Sequence, residues 1–247
     1  VTYYAITKSN QITLKANWND NNATLSSSAQ SNCNIAATYN GKAQATSCSV
    51  TAPTITAPAN TPTILGYNTT ASANSNNSSY NATTKVLTLT SSNTGKTWYA
   101  QTKKDAVSYT VSSYEKGSNV SSIGAKTDAN SKCTIAATYN GTKQATSCSV
   151  TAPTITANTG YTSVGWSLES GATTGSSTIT LNSSNTGKTW YANAKINTYT
   201  ITYNVNGGEQ NTSTEKLTYG SKYNFPTVSR TGYTFIGWFD SSTSKYD

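Results

Sequence analysis

Along most of this chain apolar and polar residues alternate with a period of two, and no long stretch keeps the 3.6-residue period of an amphipathic helix. Ile12–Trp18 (ITLKANW), Val107–Tyr114 (VSYTVSSY) and Tyr199–Val205 (YTITYNV) are three such runs, each predicted to be a strand with one buried face. The first two are followed by the pattern IAATY–NG, centred on Asn40-Gly41 and Asn140-Gly141. Both residues of an Asn-Gly pair tolerate positive φ, so each pattern predicts a hairpin with a two-residue turn. Pro53 or Pro153 and an extended TITA come next. A glycine-aromatic segment then appears as LGYN at Leu65–Asn68, GYTSVGW at Gly160–Trp166 and GYTFIGW at Gly232–Trp238. VLTLT–SSNTG–KTWYAQT predicts a second hairpin, with Leu87 and Leu89 on one face. The expected fold class is mostly β, an elongated array of tandem small modules made of hairpins and mixed sheets.

Self-similarity sets the organisation. Cys33–Ala57 (CNIAATYNGKAQATSCSVTAPTITA) returns as Cys133–Ala157 (CTIAATYNGTKQATSCSVTAPTITA), an offset of 100. SSNTGKTWYA returns at Ser91–Ala100 and Ser183–Ala192, an offset of 92. The opening YYAITK at Tyr3–Lys8 echoes WYAQTK at Trp98–Lys103 and WYANAK at Trp190–Lys195. The expected division is therefore residues 1–9 as a closing strand of a preceding module, 10–104 as module 1, 105–197 as module 2, and 198–247 as an incomplete module 3. The eight residues lost between the two offsets are expected between Ala57 and Leu89, where SANSNNSSYNATTK has the composition of a long loop.

Composition narrows the function. Apolar residues are only 34% and charged residues 11%, which suits several small cores better than one large one. The recurrent aromatics, 17 Tyr and 5 Trp, argue against disorder. The net charge of +8 comes from scattered lysines and a single arginine, Arg230, which argues against nucleic acid as a partner. No segment has the ~20 apolar residues of a membrane-spanning helix, so no membrane insertion is expected. Histidine is absent, removing the commonest general base. Of the nine acids, Asp20 and Glu115 are 95 apart, one equivalent position per module rather than a catalytic pair. No enzymatic activity, catalytic residue, cofactor or metal is expected.

Tyr199–Trp238 carries an opening strand ending in Asn206-Gly207-Gly208, then Tyr219-Gly220, Pro226, and the run Gly232 to Trp238. Over these roughly 40 residues the chain resembles the internalin-type B-repeat, also called the Listeria–Bacteroides repeat. The upstream modules share Tyr39-Asn40-Gly41 with Pro53, and Tyr139-Asn140-Gly141 with Pro153. They differ in lacking Asn-Gly-Gly, in carrying a cysteine pair, and in having Tyr67 at the tryptophan position of module 1. The resemblance implies small β-grasp-like modules strung in tandem on exported bacterial surface proteins, with no catalytic residues.

Cys33, Cys48, Cys133 and Cys148 stand two per module. In a two-residue Asn-Gly hairpin, Cys33 faces Cys48 and Cys133 faces Cys148, which points to two intramodular disulfides and an oxidising location. Free buried thiols and a metal site are the alternatives. Trp98, Trp166, Trp190 and Trp238, with Lys96 and Lys188, are candidate ligand-facing residues for a glycan. The other reading of repeated aromatics is module core. Lys96/Lys188, Asn93/Asn185 and Gln44/Gln144 are identical between modules and raise isopeptide or ester crosslinks, although no acid stands at an equivalent place. The function expected is a non-catalytic extracellular stalk or spacer of a bacterial surface protein or adhesin, with neighbouring modules as its partners. The alternative is a module binding host-surface or cell-wall glycans. Adding a closing strand after Asp247 is expected to raise the unfolding temperature of module 3, read by differential scanning calorimetry of the extended and unextended chains.

Overall fold

The computed structural model describes residues 1–240 and 245–246. Strands make up 44% of it and helix 2%, the helix being a single turn at Asp128–Ser131. Two compact units form, one of Val1–Ser108 with Thr134–Ser147, the other of Tyr109–Cys133 with Cys148–Asp247.

In the first unit the strand Ile12–Asn19 realises the alternation read from sequence: Leu14, Ala16 and Trp18 are buried and their neighbours are not. It pairs antiparallel with Ser31–Ile35 and parallel with Thr97–Lys104, Trp18 lying opposite Trp98. Thr63–Asn68 runs antiparallel along the other edge of Thr97–Lys104, so this sheet is mixed. A second sheet holds Ser47–Thr51, Val86–Thr90 and Tyr80–Asn81. One core takes side chains from both sheets, among them Leu14, Trp18, Tyr67, Leu87, Leu89 and Trp98.

The second unit repeats this order. Ser113–Lys116 runs parallel to Thr189–Ile196, and Tyr161–Ser167 runs antiparallel to it. Ser147–Thr151 pairs with Thr178–Asn182, and Ile179 and Leu181 are buried where Leu87 and Leu89 are. The offset between repeats is 99 at Tyr67/Trp166 and 92 at Leu87/Ile179. Seven of the eight lost residues therefore come from the loop after Thr63–Asn68, inside the window expected. Beyond it, Thr198–Tyr203 and Ser213–Thr218 form a hairpin. The end of module 3, residues 241–244 and 247, lies outside the described residues.

Three expectations are corrected. Asn40 and Gly41 do form a tight turn, at φ 53° and 71°, closed by the Lys42 amide donating to the Tyr39 carbonyl. The flanking strands do not pair with each other, however: Ser31–Ile35 pairs with Ile12–Asn19, and Ser47–Thr51 with Val86–Thr90. The Gln44 side chain props the arms apart, donating to the carbonyls of Asn10 and Ala36, and Gln144 does the same to Asp105 and Ala136. The predicted closing hairpin is likewise a crossover between sheets. Val86–Thr90 and Thr97–Lys104 have different partners, and the Gly95 amide of the connecting turn donates to Lys15. Finally, Val107–Tyr114 is not one strand but two, Val107–Thr110 and Ser113–Lys116.

These crossovers change what the cysteines do. Cys33 and Cys48 are joined, with an S–S distance of 2.05 Å and Cα atoms 6.0 Å apart, and Cys133 and Cys148 are joined likewise. Cys33 lies opposite Leu14 in one sheet and Cys48 opposite Leu89 in the other. Each bond staples sheet to sheet beside the core rather than rung to rung in a hairpin. Replacing both Cys33 and Cys48 by alanine is expected to lower the stability of the first unit by about 3 kcal/mol, measured by denaturant titration. Peptide mapping without reductant should return the pairs 33–48 and 133–148.

Candidate functional site

One aromatic arrangement occurs three times. The opening strand contributes Trp18, Tyr114 or Tyr203, and the glycine-aromatic segment contributes Tyr67, Trp166 or Trp238. Ring centroids are 4.8 Å apart for Trp18–Tyr67, 4.6 Å for Tyr114–Trp166 and 5.3 Å for Tyr203–Trp238. The second ring of each pair reaches back to the proline of its own repeat. Tyr67 Oη donates to the Pro53 carbonyl at 3.2 Å, Trp166 Nε1 to Pro153 at 2.9 Å, and Trp238 Nε1 to Pro226 at 2.8 Å. A buried N–H or O–H needs such an acceptor, and a proline carbonyl is free to provide one.

Tyr67 is thus not a defect in module 1. There the larger ring sits on the opening strand, as Trp18, and the smaller on the segment; in module 2 the sizes are exchanged, as Tyr114 and Trp166. The volume lost at Tyr67 is taken up by Tyr80 from the longer loop, which packs edge-on at 5.3 Å. The ring of Tyr80 also covers Gly66, where a Cβ would come within 2.7 Å of it. In module 2 the shorter loop covers the equivalent Gly165 with its own backbone at Ser176.

The candidate ligand-facing residues therefore divide. Trp98 and Trp166 are buried, at 0% and 2% exposure; packed in the cores, they have no face to offer a ligand. Trp190 and Trp238 are half-buried, and Lys96 and Lys188 exposed. Asn93 and Asn185 are committed to the turns after Val86–Thr90 and Thr178–Asn182, each accepting one backbone amide and donating to one carbonyl. Every acid among the described residues is exposed, and no group of three metal-ligating side chains occurs among them. Module 3 carries an open groove of about 430 Å³ lined in part by Val228, Tyr233, Phe235, Ile236 and Trp238. Arg230 stacks on Tyr233 there at 4.2 Å.

A second site was missed at the sequence level. The Asn140-Gly141 turn belongs to the second repeat yet lies in the first unit, seated against Thr97–Lys104. Tyr139 pairs with Lys103 there. The Asn140 amide donates to the Thr102 carbonyl at 3.0 Å, and Asn140 Oδ1 accepts from the Thr102 amide at 3.0 Å. Asn140 Nδ2 lies within 2.9 to 3.2 Å of the Gln101 side-chain oxygen and the carbonyls of Ala71 and Ala73. The Gly141 amide donates to Thr61 Oγ1 at 3.0 Å, and Thr61, Gln101 and Thr102 are all fully buried. Asn-Gly signalled a turn, and nothing local in it signals what the turn inserts into.

Burial pushes the Tyr114 phenol up to about 12, and raises Tyr67 and Tyr80 as well. A phenol raised in the folded state stabilises fully below its unfolded pKa near 10, and that contribution is lost as pH climbs through the folded value. The contribution of Tyr114 to the stability of the second unit should hold to about pH 10 and fall towards pH 12, and Tyr114→Phe should flatten part of that fall, the raised Tyr223 phenol keeping the remainder. Trp166→Phe, which leaves the Pro153 carbonyl unpaired, is expected to cost about 1–3 kcal/mol. Tyr67→Trp alone should overpack against Trp18 by about 1–3 kcal/mol, and adding Trp18→Tyr should recover part of it. Denaturant titrations measure all three.

Residues 199–247 match the family profile described as the Listeria-Bacteroides repeat domain. Among curated proteins, Internalin H of Listeria monocytogenes is 40% identical over 62 residues, which cover 24% of this chain and 11% of that protein. No solved structure matches. The matched segment, from residue 199 to the C-terminal end of this chain, is therefore similar to the Listeria-Bacteroides repeat, a repeat of the kind found in surface proteins such as the internalins.

Proposed function

We propose that this chain is a non-catalytic spacer in an extracellular surface protein, whose repeats set the distance between an anchor and a distal functional domain. The observation that carries this reading is the aromatic latch. Three successive repeats commit their paired rings to the same intramodular contact, with the opening-strand and Pro-bound rings of modules 1 and 2 buried. Rings used this way stabilise small cores and are withdrawn from ligand stacking. The two disulfides fit an oxidising compartment outside the cell. Similarity to an internalin over part of the chain fits a surface location.

A second reading, a glycan- or wall-polymer-binding module, rests on the groove of module 3. Tyr233, Phe235 and Ile236 are exposed there at 68%, 42% and 73%, and Arg230 adds a cation. The two readings part on one experiment. The purified chain is applied to a glycan array and to isolated wall polymers, alongside Tyr233→Ala. A spacer gives no saturable binding. Saturable binding that disappears with Tyr233→Ala would replace the spacer reading with the second.

A further inference from the structure

We propose that successive repeats join through a keyed seat. The residue five positions before the glycine at which the glycine-aromatic strand shifts register on its neighbour, Gly66 or Gly165, selects the turn of the repeat that follows: threonine takes an Asn-Gly turn, and glycine takes a Tyr-Gly turn. The proposal holds whether the array is a spacer or a binding module, because it concerns only which repeat fits after which.

Thr61 and Gly160 occupy that position, five residues before Gly66 and Gly165 respectively. In the first unit Thr61 Oγ1 lies 2.8 Å from Thr102 Oγ1 and receives the Gly141 amide. Gln101 and Thr102 complete the seat and hold both ends of the Asn140 amide. Asn22 closes the rim, donating to the Asn140 carbonyl at 3.1 Å. Gln101 and Thr102 read the asparagine side chain, Thr61 and Asn22 hold the backbone of the turn, and a Cβ on Gly141 would come within 2.8 Å of Asn22 Cβ.

The second unit cannot make them. Ala194 stands where Thr102 does, and Asn193 where Gln101 does, at the offset of 92. The Asn193 side chain is spent inside its own repeat, on Ser167 Oγ, the Glu169 carbonyl and the Gly171 amide. Gly160, at φ +80°, instead leaves room for a ring: a Cβ there would lie 2.0 Å from the ring of Tyr219. Tyr219 is tied in by its amide, which donates to Asn197, whose own amide donates to the Gly160 carbonyl, each at 2.9 Å. Module 3, the only described repeat with Tyr-Gly in place of Tyr-Asn-Gly, therefore meets the only described seat with glycine.

Asn40-Gly41 supplies an internal control. Its turn has nearly the same geometry as Asn140-Gly141, with φ 53° and 71° against 52° and 79°. Its backbone meets Thr7 and Lys8 as the other meets Thr102 and Lys103. The Asn40 side chain is exposed, so it presents a key of the asparagine type that fits a threonine seat.

Hydrogen exchange of the full chain tests both halves. Asn140→Asp keeps the oxygen facing the Thr102 amide but turns a carboxylate towards three oxygen acceptors. Exchange at Thr102 and Gly141 is expected to quicken roughly tenfold or more, whereas Asn40→Asp should leave protection unchanged at Asn40 and Lys42. Should the aspartate unfold the whole unit, Asn140→Ala reads the same amides more mildly. Equal effects at 140 and 40 would overturn the seat. For the key, Gly160→Thr should expose the Tyr219 and Asn197 amides, and adding Tyr219→Ala should restore part of the Asn197 protection by removing the collision. Equal exposure at Asn197 with and without the Tyr219 ring would reduce Gly160 to a backbone requirement and overturn the selection.

Discussion

The rest of each repeat depends on an aromatic ring bonded to a proline carbonyl. The ring must be large enough to fill a core that has few other apolar groups, and its polar atom must not be stranded inside. Pro53, Pro153 and Pro226 meet the second need because each lies outside the strands, where no ladder takes up its carbonyl. Once Trp166 is tied to Pro153, the strand Tyr161–Ser167 is fixed across the core from Tyr114. That in turn sets the parallel register of Ser113–Lys116 on Thr189–Ile196. In module 1 the phenol of Tyr67 performs the same task, which is why a tyrosine can stand where the other repeats have tryptophan.

Small cores with paired rings are sensitive to total volume. Modules 1 and 2 reach a filled interior by different distributions: Trp18 with Tyr67 and the added Tyr80 in one, Tyr114 with Trp166 and a shorter loop in the other. The opening-strand rings are also tethered, Trp18 Nε1 to Ser31 Oγ and Tyr114 Oη to the Asn130 carbonyl. Ring size, loop length and the covering of Gly66 or Gly165 thus change together, while strand order does not. The disulfide adds to this from outside the rings, because it joins the two sheets beside the core.

Neighbouring strands in these repeats mostly pair with distant partners. Ser31–Ile35 and Ser47–Thr51 flank a tight turn but belong to different sheets, as do Val86–Thr90 and Thr97–Lys104. Such an arrangement leaves the arms of the Asn-Gly turns without a shared ladder, and there the side chains of Gln44 and Gln144 stand in for it. It also leaves half of one edge of Thr97–Lys104 uncovered by Ile12–Asn19, which pairs only with Thr97–Tyr99. The turn holding Asn140 takes that remaining half.

Strand content, the repeat and its offsets, the one face of Leu14, Ala16 and Trp18, and the loop that shortens were all legible in the sequence, because each is a local or self-comparing property. Asn-Gly turns were legible for the same reason, since positive φ is a property of the residues themselves. The pairing of Cys33 with Cys48 was read correctly, but from a hairpin that does not exist; what brings them together is the stacking of two sheets. Which strand pairs with which depends on the core between the sheets, whose contacts join residues as distant as Leu14 and Leu89. The burial of Trp98 and the half-exposure of its equivalent Trp190 are decided there too, as identical local sequences meet different surroundings. The seat for Asn140 was invisible for the same physical reason: its donors and acceptors, Thr61, Ala71, Gln101 and Thr102, converge only after folding.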